Sequence, residues 1–453
     1  MAQPDIRAAA NMKNEPLWWP ESGIESADPP LIGGRRDDLV IVGGGLAGLV
    51  TAYYVSAARP DLSVVVLEAE SIGAGATGRS TGIVSPGLSI PLPRLRRRVG
   101  DGRAIEAFDA SQHGVTLLRD LIRAERIDCD ARDEPHTLVA VTTGERRRMA
   151  AHLAALRALD RTVHWLTPAE LVDHAGPGYI AGFAYDNAMV VDPYQLVVGL
   201  AAVLRERGVA IYENSRVRSI DSSGSRPRVV TDQGSVTAGR VLLTVDGYAG
   251  DLGPMATSVV ALRTHLLATA PLTGDRMAGL GWTGRGGIID QRNFFNYYRM
   301  TADKRLVFGG GPALVPTGDP GRDATASARV QGRIDTELIA RFPALAGVEI
   351  EARWSGLTAS STDRLPVVGP VPGRDGVYYA GAWCGHGFAM SVDAGWRFAD
   401  MLAGGPRPRL PWYRSSAQYV PTRFARTQGV RGYLRYLDQL DRSAQRRTKG
   451  VQR

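Results

Sequence analysis

Apolar residues along the chain fall into short unbroken runs joined by stretches with helical spacing. The first run, Leu39-Val40-Ile41-Val42 behind Asp38, leads straight into Gly43-Gly44-Gly45. From Leu46 to about Ala58 the spacing is helical, with the small residues Ala47 and Gly48 in the first turn. The next run, Ser63-Val64-Val65-Val66-Leu67, ends at Glu68. Runs without alternation suit parallel strands covered on both faces, so this stretch predicts a strand, helix, strand unit. Asp192-Pro193 predicts the start of a helix over 194–207, because proline is favoured in a first turn. Residues 208–212 and 217–220 predict strands, and 228–231 with 235–237 a hairpin turning at Asp232-Gln233-Gly234. A further buried strand is predicted over 241–245, and strand-like stretches over 263–270 and 294–300. A last compact block spans 354–402, and no repeat or low-complexity tract interrupts the pattern.

Gly43-x-Gly45-x-x-Gly48 sits at the junction of the first strand and its helix, the placement a dinucleotide fingerprint requires. Gly43 permits the tight turn, Gly45 lets backbone approach a pyrophosphate, and Gly48 lets helix and strand close up. The helix N-terminus adds free N–H groups and the positive end of its dipole. Glu68, 20 positions past Gly48, ends the second strand, where a carboxylate accepts hydrogen bonds from ribose hydroxyls. The fingerprint by itself does not separate NAD from FAD. Two further stretches rich in small residues, 71–82 and 380–390, allow backbone to lie against a flat ligand.

At 453 residues the chain is too long for one simple core, and two domains are expected. Cys129 and Cys384 cannot build a disulfide framework, which predicts a reducing, cytoplasmic setting. No apolar run approaches the roughly 20 residues of a membrane span, and the polar N-terminus has no signal core. The net charge of +8 is the surplus of one segment: from Tyr413 onward ten basic residues face only Asp438 and Asp441. With the charge confined there, a solvated, mobile tail is expected rather than a nucleic-acid surface. The cluster Arg94-Leu95-Arg96-Arg97-Arg98 predicts a surface loop or helix start. His113, His136, His152, His164 and His174 lack ligand spacing, so no metal site is expected.

The fingerprint, the loop Gly75-Ala76-Thr77-Gly78-Arg79-Ser80-Thr81-Gly82, the segment Thr362-Asp363-Arg364-Leu365-Pro366-Val367-Val368-Gly369 and the closing Gly385-His386-Gly387-Phe388 together resemble the D-amino-acid oxidase superfamily of flavoenzymes. Leu17-Trp18-Trp19-Pro20 and Tyr297-Tyr298-Arg299-Met300 resemble its gamma-glutamylputrescine oxidase-like branch. The resemblance covers roughly residues 15–404. It implies an α+β fold: a discontinuous Rossmann-like FAD-binding domain (37–90, 187–250 and 355–404) and a sheet-based substrate domain (91–186 and 251–354). An N-terminal arm (1–36) and a basic tail (405–453) flank them.

Carried across, the resemblance gives Gly43, Gly45, Leu46 and Ala47 to the pyrophosphate and Glu68 to the ribose, with Gly48 of the fingerprint counted in the cofactor set. Thr77, Arg79, Ser80, Thr81 and Gly82 would line the ribityl and ring region, and Val217 would meet the adenine. Gly385, His386, Gly387, Phe388 and Ala389 would pass the ring's pyrimidine edge at a helix start, and Ala69, Ala76 and Gly247 complete the cofactor set. FAD is expected to be non-covalent, since 355–361 holds no cysteine.

The implied chemistry is hydride transfer from a carbon beside nitrogen, giving an imine that hydrolyses, with O2 or another electron acceptor closing the cycle. Trp354-Ser355-Gly356-Leu357 is followed by Thr358-Ala359, without the arginine that grips a simple α-amino acid in D-amino-acid and glycine oxidases. An amine or modified amino acid is therefore the expected substrate. The strand region at Leu306 to Phe308 also lacks the lysine of sarcosine oxidases. The candidate substrate pocket is His265 (with Arg263), Tyr297, Tyr298, Arg299, Cys384 and His386, with no base assigned. Two alternatives stay open: a pathway-specific flavoenzyme for a larger or cyclic amine, and a non-catalytic FAD-binding partner subunit.

Overall fold

The computed structural model describes residues 14–417 and 423–451, apart from 162, 251, 253, 254, 256, 257 and 283. The first thirteen residues of the expected arm lie outside the described residues.

The first strand, Gly33–Val42, begins six residues before its apolar run. Its polar half pairs in parallel with the strand Gly234–Leu243, from Gly33 opposite Gly234 to Asp37 opposite Ala238. Arg35 makes this possible at a solvated edge, pairing with Asp37 through Nε and Nη2 and donating to Tyr212 Oη at 2.7 Å. The predicted hairpin arm at 235–237 and the buried strand at 241–245 are one continuous strand, Gly234–Leu243. The apolar pattern splits there only because Gly239 and Arg240 interrupt it. The expected strand at 217–220 is shorter and later, Ser219–Asp221.

Five parallel strands form the centre of the first sheet, in the order Val377–Gly381, Gly234–Leu243, Gly33–Val42, Val64–Leu67 and Ala210–Tyr212. Val367–Pro370 closes one edge antiparallel. The fingerprint helix Leu46–Ala58 packs with the helices Gly387–Leu402 and Asp101–Ala124 over one face. Glycine sets how closely these helices approach. A Cβ on Gly114 would stand 1.9 Å from Ala389 O, and one on Gly395 2.9 Å from Thr51 Oγ1.

The second sheet has seven strands, in the order Ile350–Ser361, Val259–Thr269, Leu306–Leu314, Tyr297–Met300, Ile288–Asp290, His136–Ala140 and Ala181–Tyr185. The helix Pro320–Arg341 packs against it and closes a core around Leu267, Ile334, Leu338 and Phe308.

The arginine cluster at 94–98, expected as a surface loop or helix start, lies near the start of the helix Leu92–Val99, its arginines largely outward and Leu95 buried. One expectation is corrected. The basic tail, expected to be free, is docked on the body at 412–414 and again between 431 and 441. Trp412 is buried, and Arg414 reaches Asp363 and the carbonyls of Leu365 and Pro366. The helix Arg423–Val451 is anchored by the two acids that interrupt the basic run. Asp438 pairs with Arg333, and the buried Asp441 accepts from Asn293 and Phe294. Counting charge finds the surplus but not that its two exceptions are anchors.

Replacing Gly114 by Ala should drive two helices apart and lower stability by about 1–3 kcal/mol. Gly102→Ala in the same helix, where a Cβ meets nothing within 4 Å, should instead be neutral or stabilising by up to about 1 kcal/mol. Urea unfolding of the two variants beside the parent measures both.

Candidate functional site

A cavity of about 990 Å³ is lined by residues from both large sheets. At one end stand the C-terminal tips of the parallel strands, where ligands of open α/β sheets bind. Gly43, Gly45, Leu46, Ala47, Leu67 and Glu68 line it there. Gly43 has φ +112°, and a Cβ on it would sit 3.0 Å from Thr244 O. Gly48 lies behind the wall, where a Cβ would fall 2.0 Å from Gly43 O; it sets the helix height and does not face the cavity. The helix Leu46–Ala58 starts at Gly45 with no side-chain cap and no acid in its first turn, which leaves its positive end open to an anion. Glu68 Oε2 accepts from Gly44 N at 2.7 Å and its Oε1 from Glu70 N at 3.0 Å. Burial raises this carboxyl above the usual range, while those N–H bonds pull it down. Ala69 and Val217 line the same end, flanked by Arg216 and Arg218.

Farther in, Ala76, Thr77, Arg79, Ser80 and Thr81 form the wall, whereas Gly82 lies outside it, packed where a Cβ would meet Val191 O at 2.0 Å. This loop is held by three buried side chains. Trp18 Nε1 donates to Ser80 O and Trp354 Nε1 to Arg79 O, both at 2.8 Å. Arg299 donates through Nε to Thr81 O at 2.5 Å and through Nη2 to Val191 O at 2.6 Å, with its guanidinium 4.8 Å from the Trp18 ring centre. Burial, and then Arg285, lower Arg299 to about 10.

Opposite lies the turn before the helix Gly387–Leu402, where Gly385, His386, Gly387, Phe388 and Ala389 line the cavity with Cys384. Ala382 and Cys384 adopt left-handed φ of +58° and +55°. Asp246 holds them there: Oδ1 accepts from Ala382 N and Oδ2 from Ala359 N, each at 2.9 Å. Burial raises this carboxyl, opposed by those backbone donors. Sequence reasoning picked the neighbouring Gly247, which does line the cavity, and missed Asp246; an Asp-Gly pair at the end of a buried strand was the available signal. Cys384 Sγ donates to Ala382 O at 3.0 Å and burial pushes the thiol up, so it is a packed thiol in the cavity wall.

These features fit FAD: glycine backbone without side chains, two helix starts without side-chain caps, and a carboxylate at the strand end. Among the described residues no cluster of His, Cys, Asp or Glu could hold a metal, and no helix is long and apolar enough to cross a membrane.

Beyond the turn, the second sheet supplies a single cross-strand row. Phe183 pairs with Leu138, Leu138 with Ile289, Ile289 with Tyr297, Tyr297 with Gly309, and Gly309 with Leu266. Every member except Gly309 lines the cavity, and the Tyr297 ring fills the space where a Gly309 Cβ would stand, 2.3 Å away. Strand alternation decides the other candidates. Thr264 and Leu266 face the cavity, so His265 between them points away, buried, with neither ring nitrogen partnered. Arg263 is likewise outside the wall, its Nη1 donating to Ser355 Oγ at 3.1 Å. Tyr298 faces away too, stacked on Phe308 and bonded to Tyr179 Oη. Arg299 lies under the loop at 77–82. Of the six expected pocket residues, Tyr297, Cys384 and His386 line the cavity, and His265, Tyr298 and Arg299 do not.

Sequence reasoning missed His136, His152, Arg148, Arg364, Tyr433 and Leu437. The alternation of His136 and Leu138 in one strand was a usable signal; a wall residue on a helix thought to be free tail was not. Burial lowers His136 to about 3, with His386 adding to it, and lowers His386 and His152 to about 4. These imidazoles are neutral at pH 7.

Arg299→Lys should leave a carbonyl of Thr81 or Val191 without its donor, costing about 2–4 kcal/mol. Hydrogen exchange should quicken at residues 77–82 before it does in the sheets. Histidines that resist protonation when folded make stability fall as pH drops from about 6.5, the unfolded value, towards their folded values near 4. Between pH 7 and pH 5, His152→Phe should shrink that loss by the order of 1 kcal/mol in urea titrations.

A family profile described as FAD dependent oxidoreductase (DAO) matches residues 38–401. The gamma-glutamylputrescine oxidoreductase of Escherichia coli is 30% identical over 382 residues, covering 81% of this chain and 84% of that protein. A probable oxidoreductase, OrdL, of Rhizobium meliloti is 29% identical over 381 residues, covering 83% and 85%. Among solved structures, glycine oxidase from Geobacillus kaustophilus superposes with a TM-score of 0.68 at 21% identity, covering 85% of this chain and all of that one. L-proline dehydrogenase from P. horikoshii superposes with a TM-score of 0.68 at 19% identity, covering 87% and 99%. With a fingerprint cradle at one end of the cavity and a profile that spans most of the sequence, the chain belongs to the DAO family of FAD-dependent oxidoreductases.

Proposed function

We propose that this protein oxidises a C–N bond of an amine or modified amino acid, with FAD bound non-covalently in the cradle at residues 43–48. The observation that carries this reading is the continuity of one cavity from the fingerprint turn, past the turn at 382–386, to an apolar row on the second sheet. A bound FAD would supply the two-electron acceptor for a hydride from the carbon beside nitrogen. The chain's own part is to orient and desolvate that carbon. The row at Tyr297, Ile289, Leu138 and Phe183 offers a surface for the carbon skeleton. His136 and His386, which line the cavity, are held neutral by burial and so add no charge of their own beside the substrate nitrogen. The imine product would take up water and yield a carbonyl compound.

A substrate carrying a carboxylate is the second reading, favoured by Arg364. It is exposed on the cavity wall and, among the described residues, has no carboxylate partner. The names of two relatives, gamma-glutamylputrescine oxidoreductase and glycine oxidase, accord with nitrogen-bearing substrates. A chamber lined beyond the ring-side turn favours catalysis over a purely structural flavin.

The test is to follow the visible spectrum of the FAD-loaded protein without oxygen while adding amines, polyamines, N-methylated amino acids and D-amino acids. Bleaching by one class, with colour restored by air, is the expected result and identifies O2 as an acceptor. Bleaching that air does not reverse assigns a quinone or protein acceptor. A protein that cannot take up FAD at all would overturn the reading.

A further inference from the structure

Two wall residues of the cavity, Tyr433 and Leu437, come from the helix Arg423–Val451, beyond the segment at 38–401 that defines the family. They are one turn apart, so they share a helix face. On the sheet side the same cavity is walled by Phe183, Ile289 and Phe295. The helix is fixed over this chamber by charge. Asp441, buried to 6% exposure, accepts from Asn293 N at 3.1 Å, Asn293 Nδ2 at 2.8 Å and Phe294 N at 2.8 Å. Residues 291–293 belong to the cavity wall themselves, so the latch and the chamber share one turn. One turn earlier, Asp438 pairs with Arg333 of the helix Pro320–Arg341 and with Arg442 of its own helix at 2.8 Å. A carboxylate this buried, satisfied by two backbone N–H groups and an amide, is costly to pull away, because its partners would be left without an acceptor.

Resting on the oxidative reading above, we propose that Tyr433 and Leu437 are specificity-determining residues. They complete an apolar end wall that receives the non-reacting hydrocarbon body of the amine substrate, and Asp441 is the positioning residue that keeps them there. Tyr433 is 55% exposed, which sets it at the mouth, whereas the half-buried Leu437 lies deeper. A short polar amine would leave this end wet; a chain long enough to reach the helix would displace water from it and bind more tightly with each added carbon.

The experiment uses the FAD-loaded, full-length protein without oxygen and the n-alkylamines from propylamine to heptylamine. Binding is read from the perturbation of the flavin absorption band, which needs no turnover. Each methylene that enters the chamber should tighten binding by about fourfold. In Leu437→Asp and in Asp441→Ala that increment should fall towards onefold for the longer amines. Should Leu437→Asp fail to retain FAD, Leu437→Ala carries the test, with the increment expected to weaken. Absence of any chain-length dependence in the parent protein overturns the proposal, and so do undiminished increments in variants that keep their flavin band. If the increments behave as expected but no amine bleaches the flavin, the end wall stands and the oxidative reading falls. Bleaching with increments the variants leave unchanged means the reverse.

Discussion

A guanidinium buried without a carboxylate partner organises the loop at 77–82 and everything packed around it. Arg299 sits at 1% exposure, balanced by two carbonyl oxygens and the face of Trp18. Placing a cation in such a spot is unfavourable unless acceptors meet its donors; Nε and Nη2 are met, while Nη1 has no partner. The carbonyls of Thr81 and Val191 are therefore fixed relative to the second sheet. Val191 precedes Asp192, which caps the helix Pro193–Glu206. One side chain thus joins the loop at 77–82, the start of a helix of the first layer, and the N-terminal arm through Trp18.

The same residue marks the boundary of what a single sequence can tell. Its presence in a strand was legible, and Tyr297-Tyr298-Arg299 was rightly read as sheet. Which of the three faces the cavity was not, because the answer depends on the partner strand's register and on a loop more than 200 residues away. The fingerprint was legible because its chemistry is local: Gly43, Gly45, Gly48 and Glu68 lie on one strand, helix, strand unit. His265 misled for a plain reason. It alternates on its strand with side chains that do face the cavity, and parity alone does not say which set is inside. The tail misled because composition averages over residues, and Asp438 and Asp441 matter through position.

Substrate handling in this fold is divided between precise and adaptable parts. The cofactor end is made of backbone, glycine contacts and helix starts, all of which tolerate little change. The far end is side chains on a twisted sheet and one appended helix, where substitution alters shape without disturbing the fold. Neutral imidazoles lie between the two, and the charge of nearby Arg364 adds to the burial that keeps His386 unprotonated.

The order of strands in the first sheet has a consequence for how the molecule comes into being. Gly234–Leu243 is gripped on one side by Gly33–Val42, about 200 residues earlier, and on the other by Val377–Gly381, more than 130 residues later. Closure of such distant segments is slow, since each pairing must first overcome the entropy of a long loop. The turn at 382–386 and the start of the helix Gly387–Leu402, which complete the cavity wall opposite the loop at 77–82, follow the last of these strands. During synthesis the glycine turn at 43–48 can therefore form while the opposite wall of the cavity is still missing. A nascent chain would present an open cleft, closed only once translation passes the last helix of that layer.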